Sequence, residues 1–185
     1  MSFLTTNYSD NKQATGFQPL PTGEYEMLIV NAQEKATPSG AESLQIDLVV
    51  RNDLNGVPSL IETNAKHNNR IVFNDNWKRK ATGMYDIQGF QYILEAAQVP
   101  EGAPINSVMD FICLLIGKPV RVYVKQEENT YNGETTTVNR IAPWNYKKTE
   151  FPNVQHVLKK KETPTNTNTA DPFAGRQVLD SEMPF

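Results

Sequence analysis

Two stretches far apart in the chain alternate apolar and polar residues. In SLQIDLVVRND, Leu44, Ile46, Leu48 and Val50 fall on one face. In KPVRVYVKQEE, Val120, Val122 and Val124 do the same, while Arg121, Tyr123 and Lys125 face the other way. A period of two belongs to a strand with one face in a core and the other in water. The chain must therefore build a sheet and cover one side of it. The cover is supplied after Gly83, where the period changes. YDIQGFQYILEAAQ spaces Ile87, Phe90, Ile93, Leu94 and Ala97 three and four residues apart, an amphipathic helix that stops before Pro100. INSVMDFICLLIG reads as a second helix, with Asn106 or Ser107 as its cap and Gly117 at its end.

Three more runs read as strands: Glu24 to Lys35 after a Pro-Thr-Gly turn, NNRIVFN, and TTTVNRIAPWNY. Asn132-Gly133 lies between two β-rich runs and marks a hairpin. Three strands, a helical insertion and two strands is the element order of the OB-fold, a five-stranded Greek-key barrel. A five-stranded α+β sheet gives the same linear string. The expectation is a mainly β domain, an OB-fold with its helices between strands three and four, followed by a disordered tail.

With 185 residues and 38% hydrophobic content, the chain supports one sizeable core. KKKETPTNTNTADPFAGRQ offers almost nothing to bury and reads as a disordered linker. The expected organisation is an N-terminal arm over 1–20, the domain over 21–158, a linker over 159–179 and a tip over 180–185. Residues 1–161 carry 17 Lys+Arg and 17 Asp+Glu, whereas 162–185 carry four acids against Arg176, so the net charge of −3 sits in the tail. A global basic field is absent, and nucleic-acid binding would need a local patch.

Cys113, the single cysteine, lies in the apolar run FICLLIG and is expected to be buried; no internal disulfide can form. His67 and His156 lack ligand-spaced companions and read as surface polar residues, so no metal is expected. The first residues show no basic start followed by an apolar stretch, and no run reaches the length of a membrane span. A soluble, cytoplasmic protein is expected.

Two patches carry candidate chemistry. On the strand beginning KPVRVYVK, Arg121, Tyr123 and Lys125 form a face that can hold phosphates on its cations and stack a base on its ring; a solvated strand face is the competing reading. In FNDNWKRKATG, Trp77 precedes Lys78, Arg79 and Lys80, with Arg70 and Phe73 upstream, a pattern suited to single strands or to a charged loop anchored by its Trp. Arg140 and Trp144 extend the first patch. There is no GxxxxGK[ST], GxSxG or HExxH motif. Asp47, Asp75 and Asp86 are scattered, and the Asn-Asp-Asn around Asp75 reads as loop chemistry. A non-enzymatic protein without cofactors is expected; a metal-assisted nuclease using Asp75 ranks behind it.

The chain ends DSEMPF. This resembles the C-terminal tip of bacterial single-stranded DNA-binding proteins, an acidic run ending in an apolar residue, Pro and Phe. Asp180 and Glu182 match the acidic part, with Ser181 interrupting it, and Met183, Pro184 and Phe185 match the apolar part. The stretches LPTGEYEMLIVNAQEKATPSGAESLQIDLVV and LIGKPVRVYVKQEENTYNGETTTVNRIAPW resemble a family of small bacteriophage and prophage proteins taken as single-stranded DNA-binding proteins of recombination and replication modules. That resemblance covers roughly residues 20–150. It implies coating of single-stranded DNA without sequence preference and recruitment of replication or recombination proteins through the tip, with self-association left open. The alternative is a protein-binding adaptor of the same module.

Overall fold

The computed structural model describes residues 18–131 and 133–158. It is mainly β: β1 (Gly23–Ala36), β2 (Glu42–Val50), β3 (Ile71–Trp77), β4 (Pro119–Tyr131), β5 (Glu134–Arg140) and β6 (Tyr146–Lys148), with α1 (Ile87–Ala96) and α2 (Val108–Leu115) between β3 and β4. All pairings are antiparallel. The order is β3-β2-β1-β4-β5, and β6 also pairs with β4.

The curvature of the sheet follows from its long strands. β1 pairs with β4 through Gly23–Leu28 and with β2 through Met27–Ala36, so it passes from one neighbour to the other along its length. A register shift between Ile29 and Asn31 marks the change. Such a bulge bends the strand and moves the inward parity from Met27 and Ile29 to Ala32. β4 makes a similar exchange, from β1 and β6 to β5.

The expected inward row Leu44, Ile46, Leu48 and Val50 is fully buried, as are Val120, Val122 and Val124. Phe90, Ile93 and Leu94 of α1 and Phe111, Ile112 and Leu115 of α2 close over them, with Phe90 stacked on Phe111 at 4.4 Å. Ile87, expected on the apolar face of α1, is exposed because it begins the helix, beyond the reach of the sheet. Ser107 is the cap of α2: its Oγ accepts the Asp110 N–H at 3.1 Å, and Asp110 Oδ2 accepts the Asn106 N–H at 3.1 Å. Cys113 is exposed, contrary to expectation. The run FICLLIG is helical, so its apolar residues cannot all face inward, and Cys113 takes the outer side between Phe111 and Leu115.

Six strands replace the expected five. Pro143 lacks an N–H and opens a 3₁₀ turn, Pro143–Asn145, which separates β5 from β6. The third strand runs three residues later than its sequence pattern suggests. Asn69 takes φ 61°, ending the turn before Ile71, and Asp75–Trp77, beyond the strand read from sequence, pair with Ser43–Gln45.

Two polar fastenings were not legible from periodicity. Between β2 and β3, Pro58–Leu60 and the π turn Ile61–Ala65 carry the fully buried Asn64. Its amide donates to the Glu26 carbonyl at 2.7 Å and accepts the Glu26 N–H at 3.0 Å, satisfying the backbone of β1 near its change of partner. Residues 150–158 form a strap on the end of β2. The fully buried Arg51 donates to the carbonyls of Phe151 at 2.5 Å and Asn153 at 2.7 Å, and bidentately to Asp53 at 2.6 and 3.0 Å. Burial opposes the charge on Asp53, but Arg51 and the Gln155 N–H outweigh it and hold the carboxyl below its usual range. His156 Nδ1 accepts the Asn52 N–H at 3.0 Å, so this half-buried ring is a strap fastening rather than a surface group. Leu20, assigned from sequence to the arm, lies in the core at 1% exposure.

Candidate functional site

The outer row of β3 is the most unusual surface among the described residues. Inward, Val72 packs in the core and Asn74 donates to the Tyr146 hydroxyl at 2.8 Å; burial pushes that phenol's pKa up. These contacts set the parity of the strand, and alternation then sends Ile71, Phe73 and Trp77 outward, at 53%, 56% and 45% exposure. Asp75 sits between the two rings in the same row.

β3 and β5 are the two edges of the path, and the curled sheet brings them together across a groove of about 780 Å³. Arg70, Phe73 and Trp77 line its β3 side, while Asn129 of β4 and Asn139 and Arg140 of β5 line the other. Two arginines and Asp75 therefore line the same groove. The Arg70 guanidinium donates to the Gln18 carbonyl. Arg140 is 55% exposed, with Nε 3.8 Å from Glu127.

Of the eleven residues the sequence nominates for DNA contact, Arg70, Phe73, Trp77 and Arg140 meet here. The others are placed elsewhere or engaged differently. Arg121 bonds the fully buried Glu26 at 2.9 Å and Glu150 at 2.5 Å. Tyr123 is half-buried opposite Glu24. Lys125 pairs with Glu127 at 3.1 Å. The outer face of β4, which alternation alone presents as two cations and a ring, is thus balanced by glutamates from β1, the strap and β4 itself. Lys78 turns to the β1–β2 hairpin, 2.5 Å from Glu42 and 5.0 Å above the Tyr85 ring. The Glu42 bond raises the lysine's pKa, and burial followed by the bond to Glu34 raises that of Tyr85. Arg79 pairs with Asp86 at 3.2 Å, Lys80 is exposed, and Trp144 is 68% exposed in the turn packed on α1, outside the groove lining.

Ile71 and Asn139 belong to the groove and were not nominated. Ile71 shares strand parity with Phe73, which was a usable signal; the role of Asn139 depends on a partner 119 residues away, Leu20, and had none. The nominated tip residues Asp180, Glu182, Met183, Pro184 and Phe185 lie outside the described residues. Among the described residues, no group of three or more His, Cys, Asp or Glu could hold a metal ion, and no helix is long and apolar enough to cross a membrane.

No curated protein matches the chain. Among solved structures, the one described as "Yeast RPA bound to ssDNA" is similar at 9% identity with a TM-score of 0.30, over 76% of this chain and 88% of that one, a likeness too slight to establish the fold. A family model described as "Protein of unknown function (DUF669)" matches residues 6–171, most of the sequence, and the chain belongs to that family.

Proposed function

We propose that this protein binds single-stranded DNA without catalysing a reaction on it, stacking bases on Phe73 and Trp77 and tracking the phosphate backbone with Arg70 and Arg140. The observation that carries the reading is the row of exposed apolar side chains on an edge strand, beside a groove with an excess of arginine. Aromatic faces accept any base, and a planar guanidinium suits phosphate, so the site needs no sequence readout. The strand order supports reading the fold as an OB-fold barrel left open between β3 and β5. In such barrels the face of strands two and three is an oligonucleotide platform. The resemblance to bacteriophage and prophage proteins suggests a place in phage replication and recombination, with Asp180, Glu182, Met183, Pro184 and Phe185 recruiting a partner enzyme.

Competition between single- and double-stranded DNA of equal length and mixed sequence tests the reading. The single strand should win, and Trp77→Ala should remove most of its advantage; equal competition by the duplex would end the proposal. A protein-binding adaptor is the second reading, favoured by the pairing of Arg121 and Lys78 with glutamates, which leaves few cations for phosphate. DNA binding must weaken as salt rises, whereas docking of an apolar peptide need not.

A further inference from the structure

The outer row of β3 holds one acid, and the fold leaves it without a cation. Ile71, Phe73, Asp75 and Trp77 are all exposed on this row. Same-face neighbours on a strand stand about 7 Å apart, which puts Asp75 midway between the two rings. Among the described residues, no hydrogen bond or ion pair reaches its carboxylate. The adjoining row on β2 is short of donors in the same way. Gln45 stands opposite Asp75, and Asp47 opposite Phe73. Gln45 is 7% exposed and its Oε1 has no partner; Asp47 Oδ2 accepts from Asn31 Nδ2 at 2.9 Å, but the buried Oδ1 has none. Buried acceptors left unpaired are uncommon, because nothing replaces their lost hydration. Three neighbouring side chains thus present oxygens with a single donor bonded to them.

We propose that Asp75 sets the base preference of the groove: it accepts the N1–H and N2–H of a guanine stacked on Phe73 or Trp77, so that guanine-bearing single strands bind more tightly than thymine runs. This rests on the DNA reading above and refines it, since stacking lets any base bind without making all bases equal. A carboxylate accepts and cannot donate. Guanine is the base whose pairing edge carries two adjacent N–H groups, matched to the two oxygens of a carboxylate. Thymine offers one N–H between two carbonyl oxygens, which a negative row repels. Cytosine and adenine set their amino group beside a ring nitrogen that only accepts. The unpaired oxygens of Gln45 and Asp47 add to the same field from beneath, while Asp75 is the exposed group that a base can touch. Its charge also turns phosphates away from the row and leaves them to Arg70 and Arg140, so the strand lies with its bases on β3.

Fluorescence anisotropy tests this with single strands of equal length, built from repeats of thymine-thymine-guanine, of thymine-thymine-hypoxanthine, and of thymine alone. Each is titrated with the full chain, Asp75→Asn and Asp75→Ala. Hypoxanthine keeps the N1–H and the ring system of guanine but lacks its 2-amino group. The carboxylate is exposed and unbonded, so both variants should fold, which circular dichroism checks. The guanine repeat should bind the full chain about ten-fold more tightly than the thymine run, the order of discrimination that a bidentate base contact supplies. Hypoxanthine should lose most of that margin. Both substitutions should erase it while the thymine run binds as tightly as before or more so. Equal binding of guanine and thymine strands by the full chain overturns the proposal and leaves the DNA reading standing. So does a guanine margin that survives hypoxanthine or either substitution, which assigns the preference to stacking alone. Failure of every strand to bind any chain ends the DNA reading, and this inference with it.

Discussion

Exposure at a single position means different things according to what stands beside it. Phe73 and Trp77 are exposed beside a groove with two arginines, whereas Trp144 is exposed beside α1 and Tyr123 lies against Glu24. Phe73→Ala and Trp77→Ala should each weaken single-strand binding by about 1–3 kcal/mol. Tyr123→Ala and Trp144→Ala should leave it unchanged, as fluorescence titration of the folded variants will show. Arg121 separates in the same way. Its removal leaves Glu26, at 0% exposure, without its cation, although Thr149 and the Glu150 N–H still bond the carboxylate. Arg121→Ala should therefore cost about 3 kcal/mol of stability in denaturant unfolding while sparing DNA affinity in the folded fraction. The reverse pattern would return Arg121 to the binding site.

Among the elements, the strap over residues 150–158 contains the titrating fastening. Burial lowers the pKa of His156; the Asp53 carboxylate works against that and Arg51 reinforces it. The neutral ring accepts the Asn52 N–H, a bond that protonation of Nδ1 abolishes. Because the folded pKa lies below the unfolded one, the unfolded chain binds more protons. The stabilisation is complete above about pH 6.5 and is lost as pH falls through the folded value. His67, whose pKa is lowered by burial and then by Arg70 and Lys66, acts in the same direction. The denaturant midpoint should drop between pH 7.5 and 5.5, and His156→Gln should shrink that drop; an undiminished drop would exclude His156 as a source. The cap of α2 is simpler: Ser107→Ala should cost about 1 kcal/mol, read as a lower melting temperature.

For the whole molecule, the salt dependence of binding counts the cations that reach phosphate. Arg70 and Arg140, with one further contact from a surface cation such as Lys80, give a slope of log K against log salt of about −2, at roughly −0.7 per contact on single strands. A slope near −4 would bring Lys78, Arg121 and Lys125 back into the site. Removing residues 171–185, which hold three acids against Arg176, should leave DNA affinity equal or slightly higher, most visibly at low salt. Much of the architecture was readable before any coordinates. Strict alternation placed Leu44–Val50 and Val120–Val124, and the change of period placed two helices between the third and fourth strands, because both depend on neighbours two to four residues apart. Phe73 and Trp77 were nominated from the rings and cations of FNDNWKRKATG; that they share a strand and a parity was decided by the register of β3 on β2. Local patterning could not see the contacts of Arg121, Lys78 and His156, whose partners Glu26, Glu42 and Asn52 lie 95, 36 and 104 residues away. Whether a cation meets phosphate or a glutamate, and whether an edge strand borders a groove or open water, depends on the strands that β1 and β4 join along their lengths. Contacts between segments so distant leave no period in the chain, so only the folded molecule could show which cations already hold glutamates.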